Sequence, residues 1–216
     1  MNEFPLRVLA FLTSILIASA AMATEEPKYT LLEKSEPFEL RAYAPLIVAE
    51  VKVDGDLDAA SSQGFRLIAA YIFGKNQVSE KIAMTTPVGI ESSDQNEGAK
   101  IAMTAPVGIE SSKSPDNAGN QWMVSFVMPA EYTLASLPKP LDPKVKIREV
   151  PAEKRAVITF SGFYNEEKVQ EKTQALRDWI KLKNLKPTGE PQFARYNPPW
   201  TLPFMRRNEV MIQVQD

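Results

Sequence analysis

Lys81-Ile-Ala-Met-Thr-Thr-Pro-Val-Gly-Ile-Glu-Ser-Ser93 is followed 19 residues later by Lys100-Ile-Ala-Met-Thr-Ala-Pro-Val-Gly-Ile-Glu-Ser-Ser112, with Ala105 in place of Thr86 as the only change. In each copy the apolar positions alternate: Ile82, Met84, Val88 and Ile90, then Ile101, Met103, Val107 and Ile109. That is strand periodicity with one face buried. Pro87 and Pro106 cannot donate to a ladder, so each belongs at an edge or a bulge. Asp94 to Ala99 form a polar turn between the copies. The plain reading is a hairpin whose Met and Val faces fill the core. The alternative places Met84, Met103 and the neighbouring Thr side chains around an apolar pocket, where flexible thioethers adapt to a flat ligand.

Working outward, the pattern divides into two similar halves, about 29–130 and 144–215. In the first, Phe38 to Tyr43 and Leu46 to Val53 read as strands separated by Pro45. A helix is expected from about Ala59 to Phe73, ended by Gly74, with Phe65, Ile68, Ala69 and Ile72 on one face. Strands follow at 81–90, 100–109 and 122–128. In the second half, Val145 to Val150 and Arg155 to Phe160 read as strands. Asn165 then caps a helix reaching about Lys183, with Val169, Thr173, Leu176 and Ile180 inward, and Asn184 and Pro187 mark its stop. Phe193 to Tyr196 and Glu209 to Val214 are the last strands. The Pro-rich run from Leu134 to Pro143 is the connector. Two helices over a mostly antiparallel sheet make an α+β fold.

Composition narrows the chemistry. The 216 residues contain no Cys and no His, which excludes disulfides, Cys/His zinc sites, thiol nucleophiles and Ser-His-Asp triads. A haem iron would have to take Met, Tyr or Lys. The net charge of −2 gives no sign of a nucleic-acid partner. Asp54, Asp56 and Asp58 do not fit an EF-hand, because Ala59 and Phe65 occupy the positions of its Gly and Glu. They suit the N-terminus of a helix instead. Arg206 and Arg207 can pair with ligand carboxylates or with Glu209 or another internal acid. Trp122, Trp179 and Trp200 are expected as core or anchor residues, Trp200 holding the loop after Pro198-Pro199. No nucleophile or base stands out, so no enzyme is expected.

The N-terminus has the form of a signal peptide over residues 1–23: a positive Arg7, an apolar run from Val8 to Ala20 and an Ala21-Met-Ala23 cleavage site. The exported chain would be a single domain over 24–216 with no membrane span, periplasmic in a Gram-negative cell and secreted otherwise.

These motifs converge on a resemblance. The MTxPV repeat, Trp122-Met-Val-Ser-Phe-Val-Met-Pro129, Val150-Pro151 before Arg155-Ala-Val, Phe160-Ser-Gly162, and Tyr196-Asn-Pro-Pro199 with Arg206-Arg-Asn-Glu-Val210 resemble the SOUL/haem-binding protein family from about Tyr29 to Val214. The resemblance implies a pseudo-twofold, distorted eight-stranded β-barrel flanked by two helices. It also implies a shallow apolar cleft beside the first helix for haem or another tetrapyrrole, not required for folding. The helix positions associated with the macrocycle fall on Phe65, Ala69 and Ala70, where animal relatives place Met or Lys at some points. Ile72 belongs to the same helix face, Arg66 and Lys75 lie near enough for propionates, and Met84 and Met103 come from the repeat. The expectation is a monomeric, non-enzymatic carrier or buffer of a planar hydrophobic molecule that works without an axial His. The alternative is a small-molecule or protein-interaction module on the same scaffold.

Overall fold

A computed structural model describes residues 25–77, 98–111 and 121–216. The signal-peptide segment and the first repeat copy, with Met84 and its predicted strand, lie outside the described residues. The chain opens with β1 (Tyr29–Ser35), β2 (Phe38–Tyr43) and β3 (Leu46–Asp54), then helix α1 (Leu57–Ile72). Next come β4 (Asn76–Gln77), β5 (Val107–Ser111) and β6 (Gln121–Val127), and the connector carries β7 (Lys139–Pro140). The remainder is β8 (Lys146–Val150), β9 (Glu153–Phe160), helix α2 (Glu166–Leu182), β10 (Lys186–Pro187), β11 (Gln192–Arg195), a 3-10 turn at Pro203–Met205 and β12 (Asn208–Gln215).

Both helix starts follow from a side-chain cap. Asp56 Oδ1 accepts from the Ala59 N–H at 2.8 Å and Asn165 Oδ1 from the Lys168 N–H at 2.9 Å, each relieving an N-terminal donor. At the other ends the backbone turns left-handed, Gly74 at φ 110° and Asn184 at φ 56°. Leu57, Ala60, Gly64, Ile68, Tyr71 and Ile72 form the buried side of α1, and Leu176, Trp179 and Ile180 that of α2. A Cβ on Gly64 would come within 2.5 Å of the Val124 side chain, so glycine lets α1 lie directly on β6.

Ten strands form one sheet in the order β1-β2-β9-β12-β11-β5-β6-β3-β8, with β10 beside β12. Outward from the central antiparallel pair β11–β5, the order is β12, β9, β2 on one side and β6, β3, β8 on the other. The unit β3-α1-β5-β6 thus mirrors β9-α2-β11-β12, as the two-half pattern of the sequence predicts. The strand leading into each unit is exchanged: β2 pairs with β9, and β8 with β3. Each helix covers the sheet of its own unit, α1 on β3 and β6, α2 on β9 and β12.

Three expectations are corrected. No ladder joins β1 to β8 among the described residues, so the sheet is open rather than a closed eight-stranded barrel. It is nonetheless curled, since Arg148 of β8 and Arg155 of β9 line one cavity. The strand expected at 100–109 is ordered as a ladder only from Val107, because Pro106 has no N–H to extend it. Upstream, the Ile101 N–H bonds the Ile72 carbonyl at 2.9 Å, and Thr104 makes a single parallel bridge to Glu25. Finally, Trp200 anchors nothing: it is exposed, whereas Trp179 is buried and stacks on Phe38 at 5.4 Å.

Candidate functional site

The candidate surface begins with the spacing of α1. Ile68, Tyr71 and Ile72 are sealed in the core, so the inward side of residues 65–72 has no room for a guest. Ile72 therefore supports the helix and does not face a ligand. The outward side is different. Phe65 is 39% exposed and Phe73 57%, at i and i+8, while Ala69 between them is buried with Ile68 and Ile72. Phe65 is held from below by Phe126, with ring centroids 5.6 Å apart. Arg66 and Lys75 are exposed on this helix and its exit, and Ala70 is half-buried. Neither Arg66 nor Lys75 has a side-chain ion pair among the described residues.

The second repeat copy is fastened to this end of α1. Besides the Ile101–Ile72 bond, Asn76 Nδ2 donates to the Tyr71 and Ala99 carbonyls, both at 2.8 Å. Met103 is half-exposed at 38%, and its neighbour Thr104 is buried, donating to the Val127 carbonyl. Thr104 lines an apolar cavity of about 450 Å³ with Leu46, Ile47, Val127, Tyr132 and Leu134, a volume in the range of small-molecule sites. The repeat thus brings a Thr, and not its Met, to a pocket. Tyr71, close to Tyr132, donates to the Pro138 carbonyl at 2.9 Å, and burial with that neighbour pushes its phenol up to about 12.

The sheet face away from the helices is polar. Glu209 and Arg41 are both almost wholly buried and joined by two hydrogen bonds of 3.0 Å. Tyr196 donates to Glu209 at 2.6 Å, and Arg207 lies 3.4 Å above the Tyr196 ring while pairing with Glu26. Burial opposes the charge on Arg41, but the Glu209 carboxylate more than offsets it and raises the guanidinium pKa. Arg206 donates to the Thr201 and Pro199 carbonyls. Both C-terminal arginines are thus engaged within the chain, Arg207 with the acids Glu26 and Glu209 as expected, but Arg206 with backbone carbonyls rather than an acid. A second cavity on this face, about 270 Å³, holds Glu110, whose pKa is raised chiefly by burial, with Arg155 acting against the rise. Among the described residues no group of three or more Asp, Glu, His or Cys is placed to hold a metal.

Against this geometry the comparisons are decisive for kinship. The sequence pattern of the SOUL heme-binding protein family matches residues 24–97 and 90–213, each stretch containing one copy of the repeat. The chain belongs to the SOUL heme-binding protein family. It is 28% identical over 201 residues to Heme-binding protein 2 of Homo sapiens, covering 90% of this chain and 88% of that one. In fold it is similar to the EcmrR C-terminal domain (TM-score 0.53, 11% identity, covering 87% of this chain and 98% of that one). It is also similar to a hydrolase from Listeria innocua (TM-score 0.53, 12% identity, 85% and 94%).

Within this SOUL-family chain, α1 brings together Phe65, Arg66, Ala69 and Ala70, with Lys75 one turn beyond. Sequence reading passed over Phe73, taken only as a helix end, although its spacing from Phe65 and Ala69 was available. It also passed over Leu46, Val127, Tyr132 and Leu134, which come from distant segments and carry no shared local signal.

Proposed function

We propose that this protein is an exported, non-enzymatic carrier or buffer that holds haem or a related tetrapyrrole against the outward face of α1. The observation that carries the reading is the pair of exposed rings Phe65 and Phe73 at the end of α1, with Arg66 and Lys75 beside them, in a chain of the SOUL family. A porphyrin face laid there gains about 25 cal/mol for each Å² of apolar surface removed from water. Association entropy consumes much of that gain, so an affinity of roughly micromolar order is expected. The chain has no His, so it offers the iron no imidazole, and contact area carries the affinity. Export is supported by the apolar run from Val8 to Ala20 and the Ala21-Met-Ala23 site. An exported product whose mass begins at Thr24 is the expected outcome.

The test is a haem titration of the purified protein and of Phe65→Asp and Phe73→Ser variants. Saturable change in the Soret band, weakened in both variants, with pigment recovered unaltered after incubation, is the expected result. Non-saturable binding indifferent to both substitutions would overturn it. A second reading, a small apolar ligand in the 450 Å³ cavity, is favoured by that cavity alone. Under it, Leu134→Trp at the cavity wall would abolish binding and the α1 variants would not.

A further inference from the structure

A group of exposed apolar side chains lies outside both sites. Phe163, Trp200, Leu202, Phe204 and Met205 are between 56% and 82% exposed and sit on two adjoining loops. The Gly162 N–H bonds the Pro203 carbonyl at 2.9 Å, Asn208 Nδ2 reaches the Gly162 carbonyl at 3.1 Å, and Arg206 lies 5.2 Å from the Phe163 ring centre. Contiguous exposed apolar surface of this kind marks an interaction site.

The backbone of this tip is prepared for loss of water. Pro198, Pro199 and Pro203 have no N–H to satisfy. The carbonyls of Pro198, Leu202 and Pro203 accept backbone N–H groups, and those of Pro199 and Thr201 accept the Arg206 guanidinium. These bonds leave fewer backbone groups to desolvate when the tip enters a medium poor in hydrogen-bond partners. Charge points the same way. Ser161 to Tyr164 and Asn197 to Arg207 contain no Asp or Glu, while Arg206 stands at the base of the tip and Lys168 donates to the Ser161 carbonyl. The nearest acids along the chain, Glu166 and Glu209, are turned to the Leu57 N–H and to buried Arg41, and Asp58 lies at Tyr164 behind the tip.

We infer that the Trp200–Met205 tip with Phe163 is a peripheral membrane-docking surface, seating its aromatic side chains at the headgroup boundary, with the positive charge of Arg206 behind them. No helix among the described residues is long and apolar enough to cross a membrane.

The experiment is flotation of the full chain with phosphatidylcholine vesicles, with and without phosphatidylglycerol, alongside its Trp200→Ser/Phe204→Ser variant prepared identically. Binding about tenfold weaker in the variant is expected, with an unchanged thermal melt. Trp fluorescence reads the tip as the difference between the wild type and Trp200→Phe, which removes the shared signal of half-buried Trp122 and buried Trp179. A vesicle-induced blue shift and quenching by brominated lipid are expected in the wild type and lost in Trp200→Phe. Absence of vesicle binding, or binding and quenching indifferent to these substitutions, overturns the inference. So does a wild-type dimer that ignores vesicles and becomes monomeric in the double variant, which would make the tip a contact between copies.

Discussion

Glu209 shows what a single residue carries in this fold. Its carboxylate is nearly inaccessible and gathers Arg41 of β2, Thr159 of β9 and Tyr196 just after β11. Removing one member of such a pair leaves a buried charge without compensation, so Glu209→Ala is expected to cost about 3–5 kcal/mol in urea unfolding. A loss below about 1 kcal/mol would contradict the geometry. Sequence reading identified Glu209 as a partner for a neighbouring arginine, and Arg207 Nε is indeed 3.6 Å from it. Its main partner, Arg41, is 168 residues away, and no local pattern encodes that distance. Glu110 supplies a pH dependence. Burial, then repulsion from Glu190 and Glu50, raises its folded-state pKa against the pull of Arg155 and Arg148. The folded chain therefore retains this proton to higher pH than the unfolded chain, and Glu110 loses stabilising effect as pH rises through that interval. Glu110→Gln is expected to melt above the wild type at pH 7, with the difference closing below the ordinary glutamate range. An equal difference at both pH values would refute the assignment.

At the scale of elements, local chemistry was the most legible. Both caps, both helix stops and the amphipathic faces follow from short-range rules, and the structure adds the hydrogen bonds at Asp56 and Asn165. Asp56→Ala and Asn165→Ala should each cost about 1 kcal/mol, measured by thermal or urea denaturation. No measurable loss at either would mean that the helix ends are held by packing alone. Pairing was less legible. Pro45 marks a turn between β2 and β3, but the two strands leave it for opposite ends of the sheet, because register and partner are set by buried surface rather than by the turn. The segment 100–106 alternates like a strand, yet Pro106 and the bonds to Ile72 and Glu25 take its backbone out of the ladder. β1 escaped the sequence reading because it is an edge strand with an exposed, weakly patterned face.

For the whole molecule, the symmetric strand order places two like units back to back and leaves the outward face of α1 and the loop tip around Trp200 as separate apolar surfaces. The first was partly readable, since Phe65, Arg66, Ala69, Ala70 and Lys75 follow from one helix and its exit. The second was read in reverse, Trp200 being taken as an anchor, because hydrophobicity in sequence does not say which way a side chain faces. In the proposed mode, contact area at α1 holds the pigment without a protein bond to iron. Parallel titration with haem and metal-free protoporphyrin tests this. Dissociation constants within about fivefold of each other, a difference near 1 kcal/mol, are expected. Haem bound a hundredfold or more tightly than protoporphyrin would contradict it and require an iron ligand from this chain.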